Sequence, residues 1–251
     1  MPNLLTAVKT KGILVSDGGW GSFLVARGLR PGESPERWNL DHPDEVRGIA
    51  RMYAEAGADV VLTNTFGGTR FKLEHFGLAD RVGEINETAA RLSREAVGPD
   101  KIVLASMGPT GKILMMGDVS EAELYEAFKE QAVALEKGGA DAVTVETMTA
   151  LDEGGIAVRA AKENTALTIV ASFTFDTKTP QGNRTMMGVS SEMMAEAMLD
   201  AGADVPGANS SLGSGDMVEV IAALHAAAPG ITLIVRPNAG KPEQRPDGSI
   251  V

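Results

Sequence analysis

One pattern occurs three times along this chain. Ala56-Gly57-Ala58-Asp59 leads into Val60-Val61-Leu62-Thr63-Asn64, and Gly138-Gly139-Ala140-Asp141 into Ala142-Val143-Thr144-Val145-Glu146. Ala201-Gly202-Ala203-Asp204 leads into Val205-Pro206-Gly207-Ala208-Asn209. A glycine in each copy suits the left-handed cap that stops a helix, because it has no Cβ to clash at positive φ. The short apolar run that follows reads as a parallel strand buried on both faces. Each copy then ends on a polar residue. A helix stop, a buried strand and a polar group at the strand's C-terminal end together form the pattern of α/β barrels, whose chemistry sits at that end.

Further apolar runs lie at 13–17, 102–106, 168–172 and 232–236, so seven strands are predicted. Helical periodicity separates them at 43–57, 80–97, 120–138, 150–164, 190–202 and 214–228. In the third helix Leu124, Phe128, Val133 and Leu135 mark an apolar stripe, and Ser120 with Glu123 forms a capping box. Repeated βα units imply parallel strands with right-handed crossovers. Polar residues recur at many strand ends, whereas an open doubly wound sheet gathers its ligand groups at one switch point. The expected fold is therefore a (β/α)8 TIM barrel filling residues 1–251 as one domain. Its eighth strand falls outside the seven, because Pro242 to Val251 reads as a turn-rich loop. A barrel without that strand would leave two open edges, and self-association or reduced stability is expected of it.

Charge narrows the function. With 34 Asp and Glu against 23 Lys and Arg the formal net charge is −11, which argues against nucleic acid and anionic membranes as partners. No run of eighteen apolar residues occurs, and Met1 to Gly12 lacks the apolar core of a signal peptide, so a cytoplasmic location is expected. The absence of Cys excludes a thiolate nucleophile and any Cys-ligated metal within these residues. His42, His75 and His225 have no ligand spacing and read as surface residues. The pairs Met115-Met116, Met186-Met187 and Met193-Met194 read as core filler, with a flexible lip at the barrel mouth as the alternative for the first two.

The strand ends supply the candidates for chemistry: Asp17 with Gly18 and Gly19, Asn64 with Thr65, Ser106 with Met107, Glu146 with Thr147, Thr174, Asn209 with Ser210, and Asn238. Asp17 and Glu146 would face a ligand's ammonium. The N–H groups of the glycine-rich turns at Asp17-Gly18-Gly19 and Met107-Gly108 would hold a carboxylate. The pair suits an α-amino acid. Taken singly, Asp17 is also a plain turn former and each Asn a turn cap.

Seven motifs in order carry a resemblance: Asp17-Gly18-Gly19-Trp20-Gly21, Thr63-Asn64-Thr65-Phe66, Ser106-Met107-Gly108-Pro109-Thr110, Glu146-Thr147-Met148, Ser172-Phe173-Thr174-Phe175-Asp176, Gly207-Ala208-Asn209-Ser210 and Pro237-Asn238-Ala239-Gly240. The chain resembles the homocysteine S-methyltransferase family, which includes the homocysteine-binding module of cobalamin-dependent methionine synthase. Arg184 to Val189 resembles single-domain bacterial members that work beside separate corrinoid proteins. The resemblance implies methyl transfer to homocysteine, giving methionine, with a methylcorrinoid (methylcobalamin) on a partner protein as the donor. It places Asp17, Glu146 and Asn238 in catalysis, and Asp17, Gly18, Asn64, Thr65, Ser106, Met107, Glu146 and Asn209 around the substrate. It also implies a zinc ion held by three Cys that lowers the pKa of the substrate thiol. Ser210 occupies the first of those Cys positions, so zinc is not expected on the chain as it stands. Three explanations stay open: an altered or shortened version of a zinc enzyme, a zinc-independent methyltransferase delivering methyl from a small substrate to a corrinoid protein, and a non-catalytic amino-acid-binding module.

Overall fold

The structure, a computed structural model, describes residues 3–240. In chain order it runs α1 (Leu4–Lys11), α2 (Gly21–Ala26), α3 (Trp38–Asp41), α4 (Pro43–Glu55), β1 (Val60–Leu62), α5 (Arg70–Glu74), α6 (Val82–Val97) and β2 (Ile102–Met107). There follow α7 (Glu121–Lys137), β3 (Ala142–Met148), α8 (Leu151–Asn164), β4 (Thr168–Phe173), β5 (Thr177–Thr179), β6 (Gly182–Arg184), α9 (Ser191–Asp200), β7 (Val205–Gly213), α10 (Ser214–Ala227) and β8 (Ile234–Asn238). Strands β1-β2-β3-β4-β7-β8 form one sheet in that order, parallel throughout, and β5-β6 is a separate antiparallel hairpin. The result is a TIM-barrel-like α/β fold whose main sheet has six strands among the described residues.

The six predicted helices are present, and local chemistry starts them. Ser120 and Glu123 exchange both bonds of the predicted capping box at α7. Ser190 accepts from Met193 N–H to start α9, and Pro43 occupies the first turn of α4. In α7 the apolar stripe differs by one place: Val133 is exposed, and Ala132, one residue earlier, packs inward with Leu135. Five positions after Phe128 is off the 3.6-residue period, so Val133 turns to solvent.

The predicted strand at 13–17 is reduced to a single parallel bridge between Ser16 and Val60. It has one neighbour among the described residues, and Ile13 and Val15 are 80% and 57% exposed. The hairpin β5-β6 gives no apolar signal in sequence. Pro242 to Val251, predicted as a loop, lies outside the described residues. The methionine pairs divide: Met115, Met116, Met186 and Met187 are exposed in loops after β2 and β6, whereas Met194 is buried and Met193 is not. As core filler the first two pairs fail, because both sit on turns outside the packed layers.

The Asp of each repeat has one structural job. Asp59 donates its N–H to Val15 O at 2.7 Å and takes Val15 N–H on its carboxylate at 2.9 Å. Asp141 does the same with Val103, at 2.9 and 2.8 Å, and Asp204 with Ile169, at 2.8 and 2.8 Å. A cation from a neighbouring helix completes each: Lys11, Arg94 and Lys162. The repeated Asp thus staples the start of a strand to the strand before it and sets register.

Alternation along the strands sorts the core. Val103, Ala105, Met107, Val143, Val145, Ile169 and Ala171 point outward into a cluster with Leu124, Phe128 and Leu135 of α7. Val60, Leu62, Ile102, Leu104, Ala142, Val170 and Val205 point inward, with Leu4 of α1 packed against them. Further toward the C-terminal ends the inward positions become polar, at Ser106, Glu146, Ser172 and Asn209. The barrel interior is therefore apolar at one end and polar at the other. Gly207 has no room for a side chain, because a Cβ there would overlap the carbonyl of Ile234 on β8.

Candidate functional site

The polar end opens into a cleft of about 780 Å³ at the C-terminal ends of the strands. It is lined by Asp17, Gly18, Asn64, Thr65, Ser106, Glu146, Asn209, Ser210 and Asn238. Met107 is the exception. Its side chain is fully buried in the outer cluster beneath α7, because residues next to each other in a strand face opposite ways and Ser106 takes the inward one. A groove of about 1020 Å³ between α6 and α7 is larger, but it is lined by helix-surface charges such as Glu87, Lys129 and Glu130 and gathers no buried polar groups.

Glu146 is buried at the end of β3 and fully engaged within the protein. Its Oε1 accepts from Ser106 Oγ, and its Oε2 pairs with Arg236 Nη2 from β8. Asp17 is also buried. Its Oδ2 accepts from Leu62 N–H at 2.8 Å and from Trp20 Nε1 at 2.9 Å, and its Oδ1 from Ser16 Oγ at 3.2 Å. Burial pushes the Asp17 carboxyl above its usual range, while the bonds from Leu62 and Trp20 and the positive field of Arg236 pull it back. Burial in turn lowers the guanidinium of Arg236, against the field of Asp17.

The asparagines do more than cap turns. Asn209 accepts on Oδ1 from Thr147 N–H at 3.0 Å and Ser172 Oγ at 2.7 Å. Its Nδ2 donates to Thr147 Oγ1 at 2.8 Å and Ser210 Oγ at 3.0 Å. One amide thus ties the ends of β3, β4 and β7. Thr147, Ser210 and Ser211 adopt φ of 60°, 62° and 59°, a left-handed conformation that costs a non-glycine residue energy. They coincide with register shifts at the ends of β3 and β7, and such shifts re-aim side chains at functional rims. Asn64 instead spends its Nδ2 on Pro35 O at 2.7 Å and Asn39 Oδ1 at 3.0 Å, fastening the loop before α3. Thr65 donates to Ser106 O at 2.7 Å. Asn238 lies at the end of β8 in register with Gly213.

Arg236 is absent from the sequence candidates. Its only signal is a lone arginine closing an otherwise apolar strand. Trp20, which fixes Asp17, is visible only as a motif neighbour.

The donors here do not fit zinc. The chain has no Cys, and no cluster of three or more His, Asp or Glu that could hold a metal occurs among the described residues. Ser210 offers a neutral hydroxyl that already accepts from Asn209, a poor ligand for zinc.

Fold and cleft define a protein of the α/β-barrel class with its polar site at the C-terminal strand ends. A family model described as homocysteine S-methyltransferase matches residues 14–250. The chain belongs to the homocysteine S-methyltransferase family. It is 34% identical to a methionine synthase of Mycobacterium tuberculosis over 258 residues, covering 95% of this chain and 21% of that protein. With a methionine synthase of Mycobacterium leprae it shares 34% identity over 92% of this chain and 20% of that one. The chain thus spans about a fifth of the length of these curated relatives. The metallated form of the Escherichia coli homocysteine methyltransferase MmuM superposes with a TM-score of 0.81 at 20% identity, covering 94% of this chain and 87% of that one, which establishes the fold. Among the described residues no helix is long and apolar enough to cross a membrane.

Proposed function

We propose that this chain binds an α-amino acid thiol of the homocysteine type and presents its sulfur for methylation, giving methionine. The observation that carries the reading is the convergence of two buried carboxylates, Asp17 and Glu146, on one cleft beside the strained Ser210-Ser211 turn. In this reading the carboxylates take the ammonium, and the N–H groups of Gly18 and Gly19 face the ligand's carboxylate. The sulfur points out of the mouth, where an in-line displacement forms the S–CH3 bond as the bond from methyl to its donor breaks. The thiol proton leaves to solvent. The donor we assign is a methylcorrinoid carried by a partner protein, with both partners in the cytoplasm. Membership of the family and similarity to methionine synthases support this reading.

A second reading, an amino-acid-binding module without turnover, is favoured by one observation: Ser210 supplies a neutral hydroxyl where the family pattern has a thiolate. Isothermal titration with L-homocysteine and L-methionine, paired with a methyl-transfer assay using methylcobalamin, separates the two. Binding with thioether formation supports the first reading. Binding alone supports the second, and no binding of either amino acid overturns both.

A further inference from the structure

We propose that Arg236 decides which ligands the cleft accepts: its guanidinium holds the ligand's carboxylate, so the site selects zwitterionic α-amino acids over the amines that share their side chain. This rests on the amino-acid reading given above.

Arg236 sits on β8 in register with Asn209, and its side chain is 15% exposed. One terminal nitrogen, Nη2, pairs with Glu146, while Nε is buried and finds no acceptor among the described residues. A buried donor without an acceptor costs as much as a lost hydrogen bond, so a ligand that brings an acceptor recovers that cost. The planar guanidinium fork matches a carboxylate better than any other cationic side chain does.

The Arg236–Glu146 pair points the same way. Three carboxylates, Asp17, Glu36 and Glu146, and one cation, Arg236, line the cleft; Glu36 is already held by Gly67 N–H and Ser34 Oγ. An ammonium arriving at Glu146 therefore competes with the guanidinium already there. A ligand carrying its own carboxylate resolves the competition: the ammonium takes Glu146, and the carboxylate takes Arg236 through Nε, so the guanidinium keeps an anionic partner. An amine without a carboxylate that takes Glu146 draws it away from the guanidinium and brings no anion in exchange, and removing one partner of a buried pair is strongly unfavourable. The amides of Gly18 and Gly19 add neutral donors but no charge.

The competing view is that Arg236 merely ties β8 to β3. Isothermal titration distinguishes the two, using L-methionine, its decarboxylated amine and its deaminated acid against the wild type, Arg236→Gln and Arg236→Lys. The wild type should bind L-methionine about 10- to 100-fold more tightly than the amine, the range for a hydrogen bond to a charged group. Arg236→Gln should erase most of that preference and abolish the weak binding of the deaminated acid, and Arg236→Lys should restore part of both. A structural tie would lower the urea midpoint of Arg236→Gln and leave the preference unchanged, which would overturn the proposal. So would a wild type that does not discriminate. If no amino acid binds but the deaminated acid binds in an Arg236-dependent way, the amino-acid reading falls and the role of Arg236 stands. Equal preference in wild type and Arg236→Gln gives the reverse, and silence from all three ligands overturns both.

Discussion

Replacing the Asp of each repeat by Ala should destabilise the protein unequally, with Asp141→Ala costing the most. The Asp141 side chain is fully buried, accepts from Val103 N–H at 2.8 Å, and pairs with Arg94, itself 21% exposed. Its removal strands a buried N–H, at about 1–3 kcal/mol, and breaks a mostly buried ion pair, for which about 3–5 kcal/mol is usual. Arg94 keeps the carbonyls of Gly98, Lys101 and Gly139 as acceptors, which holds the sum toward the lower end. About 4–5 kcal/mol is expected on that basis. The Asp59 and Asp204 side chains are 20% and 26% exposed, and their lysine partners 54% and 43%. Water can reach the freed N–H groups there and surface pairs contribute little, so about 1–2 kcal/mol is expected for each. The assay is urea unfolding, read as a shift in midpoint at constant slope. Asp141→Asn, which keeps an acceptor for Val103 N–H and loses the charge, should fall between wild type and Asp141→Ala. Equal losses for the three Ala variants would refute the assignment of these residues as staples graded by burial.

Burial pushes the Glu36 carboxyl above its usual range, against hydrogen bonds that include those from Gly67 N–H and Ser34 Oγ. The folded form therefore holds this proton more tightly than the unfolded chain, so the cost of ionisation is absent below the unfolded value of 4.5 and complete above the raised folded one. Acidification from neutral pH toward that value should accordingly raise the urea midpoint, and Glu36→Gln should flatten the rise; an unchanged profile would reject it. Glu146→Gln should weaken binding of an α-amino acid by about 1–3 kcal/mol in titration calorimetry and leave an N-acylated analogue nearly unaffected. Equal losses would mean that Glu146 supports the fold and does not read the ammonium. Ser210→Cys should not create tight zinc binding by elemental analysis, since it would add one thiolate to a cleft whose carboxylates are already held by hydrogen bonds and a guanidinium; stoichiometric zinc would contradict this.

Much of this protein is legible along the chain because local physics sets it. The glycine after a helix and the apolar run mark where β1, β3 and β7 begin, though β3 and β7 continue past their polar residues to Met148 and Gly213, and Ser120 with Glu123 starts α7 without help from elsewhere. Alternation at period two also assigns the inward positions, so Asn64, Ser106, Glu146 and Asn209 are recoverable as one set once a barrel is assumed, whereas Asp17 lies on the outward phase of 13–17 and reaches the cleft only because the chain turns there. The same rule, applied with the phase of β2 in hand, removes Met107. What each inward group does is not local. Asn209 reaches Thr147 across 62 positions, and Glu146 is met by Arg236 across 90. The sequence marks Asp59, Asp141 and Asp204 only as equivalent members of a repeat. Burial alone separates a mostly buried ion pair at Asp141 from two half-open ones, because screening by water depends on the packing of α6 and its neighbours around each site. Strand order, and therefore which side chains share the cleft, is decided when the sheet assembles: hydrogen bonds and charges act through space, and only the tertiary structure sets those distances.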